Sequence, residues 1–162
     1  MDAEQEFTEF VHATQLRLRR TAYLLCGDWH LAEDLVQATF IKLFRYWRRA
    51  RNADSIEAYA RRTLTRIFLD HHRKWTAIPT DNLPEQAPEP SPGDLRLTVL
   101  EALAELPPKS RSVVVLRYWE DMSVEETAKA LGISTGTVKS QSSKGLAKLR
   151  QRLQDHAFAR PA

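Results

Sequence analysis

Residues 123–149 read SVEETAKALGISTGTVKSQSSKGLAKL. Ser123-Val124-Glu125-Glu126 is a capping box: serine at the N-cap with glutamate three residues on lets each satisfy an orphan backbone donor of a new helix. That helix should run to Leu131 and break at Gly132, and a last helix should start near Ser134 or Thr135 and continue to about Gln154. Ala128, Gly132, Ile133 and Val138 have the spacing of a helix-turn-helix. The small residue lets the helices approach, glycine takes the tight turn, and two aliphatics pin the second helix to the first. At about 100° per residue, Val138, Ser142, Gly145, Leu146, Leu149 and Leu153 share one face of the last helix, and Thr137, Ser140, Gln141, Lys144 and Lys148 share another. This second face offers hydroxyl, amide and ammonium groups, which suit phosphates and base edges in a major groove. Residues 135–154 contain Lys139, Lys144, Lys148, Arg150 and Arg152 and no Asp or Glu, whereas an ordinary solvated helix mixes the two signs. The expected DNA contacts are therefore Thr135, Thr137, Lys139, Ser140, Gln141, Lys144 and Lys148.

Upstream, Leu95, Val99, Leu103 and Leu106 repeat at helical spacing and stop at Pro107-Pro108, and a further helix is expected over Ser110–Trp119. The C-terminal block is thus four short helices. Before it, residues 79–93 carry Asp81, Glu85 and Glu89, no Lys or Arg, and five of the chain's eight prolines. Repeated proline blocks helix and sheet alike and the composition offers little to bury, so this reads as an extended linker. It separates two basic blocks: residues 1–78 hold 13 Lys/Arg against 10 Asp/Glu, and residues 94–162 hold 11 against 8.

The first block is helical too. Phe7, Phe10, Val11, Thr14, Leu18, Ala22 and Leu25 recur at three- and four-residue spacing up to Gly27. A second helix follows from about His30, with Leu31, Leu35, Ala38 and Leu43 on one side. Asp34, Gln37, Ile41 and Arg45 lie on another side near Phe44 and Arg48, a mixed face that suits a partner helix or simply a half-exposed surface. Arg48 to Asp54 looks like a basic turn. Ser55 is a plausible N-cap for a third helix through Trp75, whose apolar face is Ile56, Ala60, Thr63, Leu64, Ile67 and Phe68. Arg62, Arg66, Leu69 and Arg73 share the opposite face. With Arg48, Arg49 and Arg51, and with Trp47, Tyr59 and Trp75 nearby, they form a second basic surface with aromatic platforms, as unstacked bases require. No alternating strand pattern appears, so the fold class is all-α.

Composition narrows the rest. In 162 residues the net charge is +3, 28% of residues are charged and 43% are hydrophobic, so a core can form. The single Cys26 excludes a disulfide framework and a multi-cysteine zinc site, and is read as a small buried residue. No apolar run approaches the ~18 residues of a membrane span, and the start lacks signal-peptide character, so a cytoplasmic protein is expected. There is no phosphate-cradling glycine loop, no Ser/His/Asp order and no HExxH, and the adjacent His71 and His72 point about 100° apart on a helix. No enzyme activity, cofactor or metal is expected.

Several strings carry a resemblance. Ala32-Glu33-Asp34-Leu35-Val36-Gln37 with Phe40 resembles the core-binding segment of the extracytoplasmic-function (ECF) sigma factors of bacterial RNA polymerase. Leu106-Pro107-Pro108-Lys109-Ser110-Arg111, Val115 to Glu120, Ser123 to Ala128 and Gly136 to Gln141 resemble their fourth conserved region. Gly136 to Leu149 is especially similar to the sigma-E-type subfamily of actinobacteria. The resemblance implies a region-two-like domain over 1–78, a linker over 79–93, a region-four-like domain over 94–155 and a tail over 156–162. It implies core RNA polymerase as partner, with its clamp helices held by Asp34, Gln37, Phe40, Ile41 and Phe44 and its flap held by the second domain. It further implies −10 promoter contacts from Arg48, Arg49, Arg51, Asn52, Tyr59, Arg62, Arg66 and Arg73, with duplex opening, and −35 contacts from the last helix. The linker would thread toward the active site. An anti-sigma factor is a further candidate partner, and no self-association is expected. Many ECF factors carry Arg at the positions of Gln141 and Lys144 and a bulkier residue at Ser143, so this recognition helix is less cationic and its −35 sequence stays open. The alternative is a stand-alone helix-turn-helix regulator, since LuxR-type output domains share a Thr-Val-Lys turn–helix pattern.

Overall fold

The computed structural model describes residues 2–76 and 95–159. The expected linker at 79–93 lies outside the described residues, as does the end of the tail. The chain divides into two compact units, Met1–His72 and Arg73–Ala162. Every regular element among the described residues is helical, as the periodicity predicts.

In the first unit, α1 (Ala3–Cys26) opens on Asp2, whose carboxylate accepts from the Gln5 N–H at 2.7 Å. It closes at Gly27, whose φ of 74° lies in the left-handed region that glycine tolerates. Asp28 immediately caps α2 (Trp29–Arg45), accepting from the His30 and Leu31 N–H groups. This two-residue stop-and-start folds α2 back against α1. Leu18, Ala22, Leu25, Leu35, Val36 and Leu43 are buried in this unit. Cys26 is half-buried rather than buried, its thiol donating to the Asp28 carbonyl at 3.2 Å.

The expected basic turn after α2 is instead a short helix, α3 (Trp47–Arg51). Trp47 anchors it. Its indole is only 6% exposed and packs on the rings of Phe7 and Phe10 at 5.2 and 5.6 Å. This corrects the reading of Trp47 as an aromatic platform: a large ring gains more by leaving water against two α1 phenylalanines than by lying open beside three arginines. Helix α4 (Ile56–Thr76) starts as predicted, with the Ala58 N–H donating to Ser55 Oγ at 3.1 Å, and it buries Ala60, Leu64 and Phe68.

In the second unit, α5 (Leu95–Glu105), α6 (Pro108–Val114) and α7 (Val124–Leu131) all pack against α8 (Thr135–Ala159). Pro108 takes the first position of α6, where its missing N–H costs nothing. The predicted Ser110–Trp119 helix thus starts earlier, and it widens at its end into a π-helical turn, Val115–Trp119. The Glu120 N–H reaches back five residues to the Val115 carbonyl at 3.0 Å. Leu116 is buried by this turn, whereas Tyr118 and Trp119 are left exposed. The serine half of the capping box forms, with the Glu126 N–H donating to Ser123 Oγ at 3.0 Å. Gly132 turns at φ 66°, and Val113, Ala128 and Val138 pack as one cluster with Val124, Leu131 and Ile133 against it.

Gly145 sets how closely α8 approaches α6. A Cβ there would lie 2.6 Å from Cγ2 of Val114, which is buried and β-branched and so has little room to turn aside. Gly145→Ala should lower stability by about 1–2 kcal/mol although alanine is the better helix former. Val114→Ala in the same chain should restore part of that loss. Urea unfolding of the two single variants and the double variant checks this, and additive effects would count against the contact.

Candidate polymerase and nucleic-acid interfaces

On the first unit, the exposed side of α2 presents Asp34, Gln37, Ile41 and Phe44. Ile41 is 67% and Phe44 58% exposed, large apolar side chains in water on one short stretch of helix. Phe44 leans on Phe7 at 5.1 Å, and Phe40 is half-buried with its ring edge-on to Phe7 at 6.5 Å. The same α1 phenylalanine therefore supports both. Tyr46, just beyond α2, adds a second exposed ring that the helical pattern did not single out.

The basic residues of this unit are not equivalent. Arg48, Arg49 and Asn52 are exposed, whereas Arg51 bonds Glu6 at 2.9 Å and ties α3 to α1. The Arg62 guanidinium lies 4.9 Å from the centre of the half-buried Tyr59 ring, so one face of that ring is already covered. Arg66 is exposed farther along α4, as is Arg73, the first residue past this unit's boundary. The Trp75 side chain lies outside the described residues.

On the second unit, the two faces read from the sequence separate as expected. Val138, Ser142 and Gly145 are buried and Leu146, Leu149 and Leu153 half-buried, while Thr135, Thr137, Lys139, Ser140, Lys144 and Lys148 are exposed. Ser134 caps α8, accepting from the Thr137 N–H at 3.1 Å. Arg152 does not share the exposed lysine face. Its guanidinium reaches Glu105 at 3.4 Å and Glu101 at 3.7 Å, both on α5. Gln141 is half-buried and accepts a hydrogen bond from the Ser110 hydroxyl of α6. These two residues stand in a groove of about 530 Å³ with Leu106, Pro107, Lys144 and Lys148 on its walls.

Arg111 stands in the Leu106–Arg111 string, but nothing in the sequence assigns it a role of its own. Only 9% exposed, it donates to the carbonyls of Leu103, Ala104 and Leu106 at 2.8, 3.1 and 3.0 Å. These belong to the C-terminal end of α5, where carbonyls lack helical partners and the helix dipole is negative. One planar fork satisfies all three and sets the angle between α5 and α6. Among the described residues no group of three or more His, Cys, Asp or Glu is placed to hold a metal ion. No described helix is long and apolar enough to cross a membrane.

Residues 10–77 match the family model "Sigma-70 region 2" and residues 102–151 match "Sigma-70, region 4". The RNA polymerase sigma-E factor of Streptomyces avermitilis is 40% identical over 153 residues, spanning 92% of this chain and 86% of that protein. The ECF RNA polymerase sigma factor SigE of Mycolicibacterium smegmatis is 37% identical over 96% of this chain and 64% of its own length. The chain is an ECF sigma factor. Its fold is that of the sigma factor RpoE from Bartonella quintana, solved with the anti-sigma factor NepR, at TM-score 0.75 and 23% identity over 93% of this chain and 98% of that one. This sigma factor accordingly belongs to the promoter-specific initiation factors, which are not an enzyme class, and the stand-alone regulator is not favoured. The likeness to sigma-E factors of actinobacteria, read from Gly136 to Leu149, holds over most of the chain.

Proposed function

We propose that this sigma factor docks on the clamp helices of core RNA polymerase through Asp34, Gln37, Phe40, Ile41 and Phe44. Arg48, Arg49, Asn52, Tyr59, Arg66 and Arg73 then engage the −10 element, with Arg51 and Arg62 supporting them through Glu6 and the Tyr59 ring. The second unit sits on the flap and reads the −35 element with Thr135, Thr137, Lys139, Ser140, Gln141, Lys144 and Lys148. A region-two-like domain over 1–78 and a region-four-like domain over 94–155 divide the work, and residues 79–93 connect them toward the active site. The work is done in the cytoplasm by a single copy, and an anti-sigma factor that covers these surfaces would hold it inactive.

The exposed face of α8 from Thr135 to Lys148 carries this reading, because over that stretch it presents lysines, hydroxyls and an amide without a carboxylate. Few charges give weak, salt-sensitive affinity, so neither unit alone should hold a promoter. Carried on one polymerase, the second contact becomes intramolecular and selective. Opening the duplex opposes stacking of about 1.4 kcal/mol per step, which trapped −10 bases would offset.

Lys144→Ala and Lys148→Ala in reconstituted holoenzyme should each weaken promoter binding and reduce the dependence of log K on log salt concentration by about one. Affinity for core polymerase should stay as it is. An unchanged salt slope would remove these lysines from the DNA interface.

A further inference from the structure

We propose that Ser110 is a positioning residue that turns the Gln141 side chain so that only its amide N–H₂ faces DNA. The proposal rests on the −35 reading of α8 above. Ser110 is buried in α6, and its hydroxyl donates to Gln141 Oε1 across the packed α6–α8 interface. One turn along α8, Gly145 has no side chain to hold the helices apart, so the hydroxyl and the amide oxygen can meet. On either side of Gln141 along the helix, Ser140 and Lys144 are exposed.

A glutamine amide carries an acceptor and two donors, and an unrestrained one reads adenine with both, accepting from N6–H₂ and donating to N7. Here the oxygen is turned toward α6. With the oxygen engaged there, the N–H₂ is the half of the amide left to meet a base edge, so the side chain favours an edge that presents acceptors. Guanine, with O6 and N7, presents two side by side, whereas adenine sets a donor beside its single acceptor. Ser110 lies 31 residues before Gln141, and in this way selects guanine over adenine at one −35 position.

The test uses holoenzyme reconstituted from the full chain and core polymerase, with a promoter library randomised through the −35 element and bound fragments sequenced. The unaltered protein should prefer guanine to adenine at one position. Ser110→Ala leaves out one oxygen and fits the same space, so the fold and core binding persist. The released amide can then pair with adenine, and the guanine-to-adenine ratio at that position should move about tenfold toward adenine. Gln141→Ala should make the position indifferent, and adding Ser110→Ala to it should change nothing more. A ratio unmoved by Ser110→Ala but flattened by Gln141→Ala would overturn the positioning role while leaving Gln141 as a reader. A profile unmoved by Gln141→Ala at every −35 position would overturn the reading of Gln141 itself, and the proposal with it.

Discussion

Replacing Arg111 by alanine is expected to destabilise the second unit by about 4 kcal/mol, the largest effect of any single substitution considered for its fold. Three carbonyls at the end of α5 lose a charged donor at once, inside a packed interface where water has little access. The net worth of one charge-assisted hydrogen bond is about 1.5–3 kcal/mol, and the three share a single ordered side chain, so their sum is not simply additive. Lysine would keep the charge but not the fork, so Arg111→Lys should recover less than half of the loss. Residue-resolved amide hydrogen exchange on the full chain checks this. Protection should fall across α5, α6 and α8 while α1 and α2 keep theirs. Unchanged protection in α5 would show that the carbonyls find other partners and that Arg111 is not the clamp.

The second large effect concerns assembly with polymerase. Ile41→Asp should weaken association with core enzyme by about 100-fold, and Phe44→Ala by about tenfold, because exposed apolar side chains at the centre of an interface carry most of its free energy. Ile41 is 67% exposed, so its replacement removes little packing from the folded unit, and thermal unfolding of the free protein should shift only slightly. Phe44→Ala also gives up the Phe7 contact and should cost some stability. Asp34→Ala and Gln37→Ala should act in the same direction with smaller size. Competition against labelled sigma factor for core polymerase measures all four, and an unaltered holoenzyme yield with Ile41→Asp would move the docking face off α2.

Much of this was legible from local chemistry. The stop at Gly27, the N-caps at Ser55 and Ser123 and the turn at Gly132 each depend on residues within four positions of one another, and each stands where the residues place it. The two faces of α8 are legible for the same reason, since a helix repeats its faces every few residues. Trp47 was misjudged because nearby arginines suggest a wet surface, whereas Phe7 and Phe10, which cover it, lie about forty residues earlier. The π turn escaped because an apolar run such as Val113 to Leu116 fits an ordinary helix equally well, and only the packing of Leu116 with Met122 and Ala130 shows which register is used.

Order along the chain, then, determined that this protein is two helical blocks, that the second carries a helix-turn-helix, and which side of its last helix is cationic. Periodicity and capping are short-range, and they act before any tertiary contact forms. Only the tertiary structure decided that Arg51, Arg152 and Gln141 are engaged by Glu6, by Glu101 and Glu105, and by Ser110, and that Arg111 closes the end of α5. Except for the Arg111 bonds, these pairings join residues dozens of positions apart. All of them depend on how far one helix is rotated against the next, which is set by the fit of side chains such as Val114 and Gly145 rather than by any repeat in the sequence.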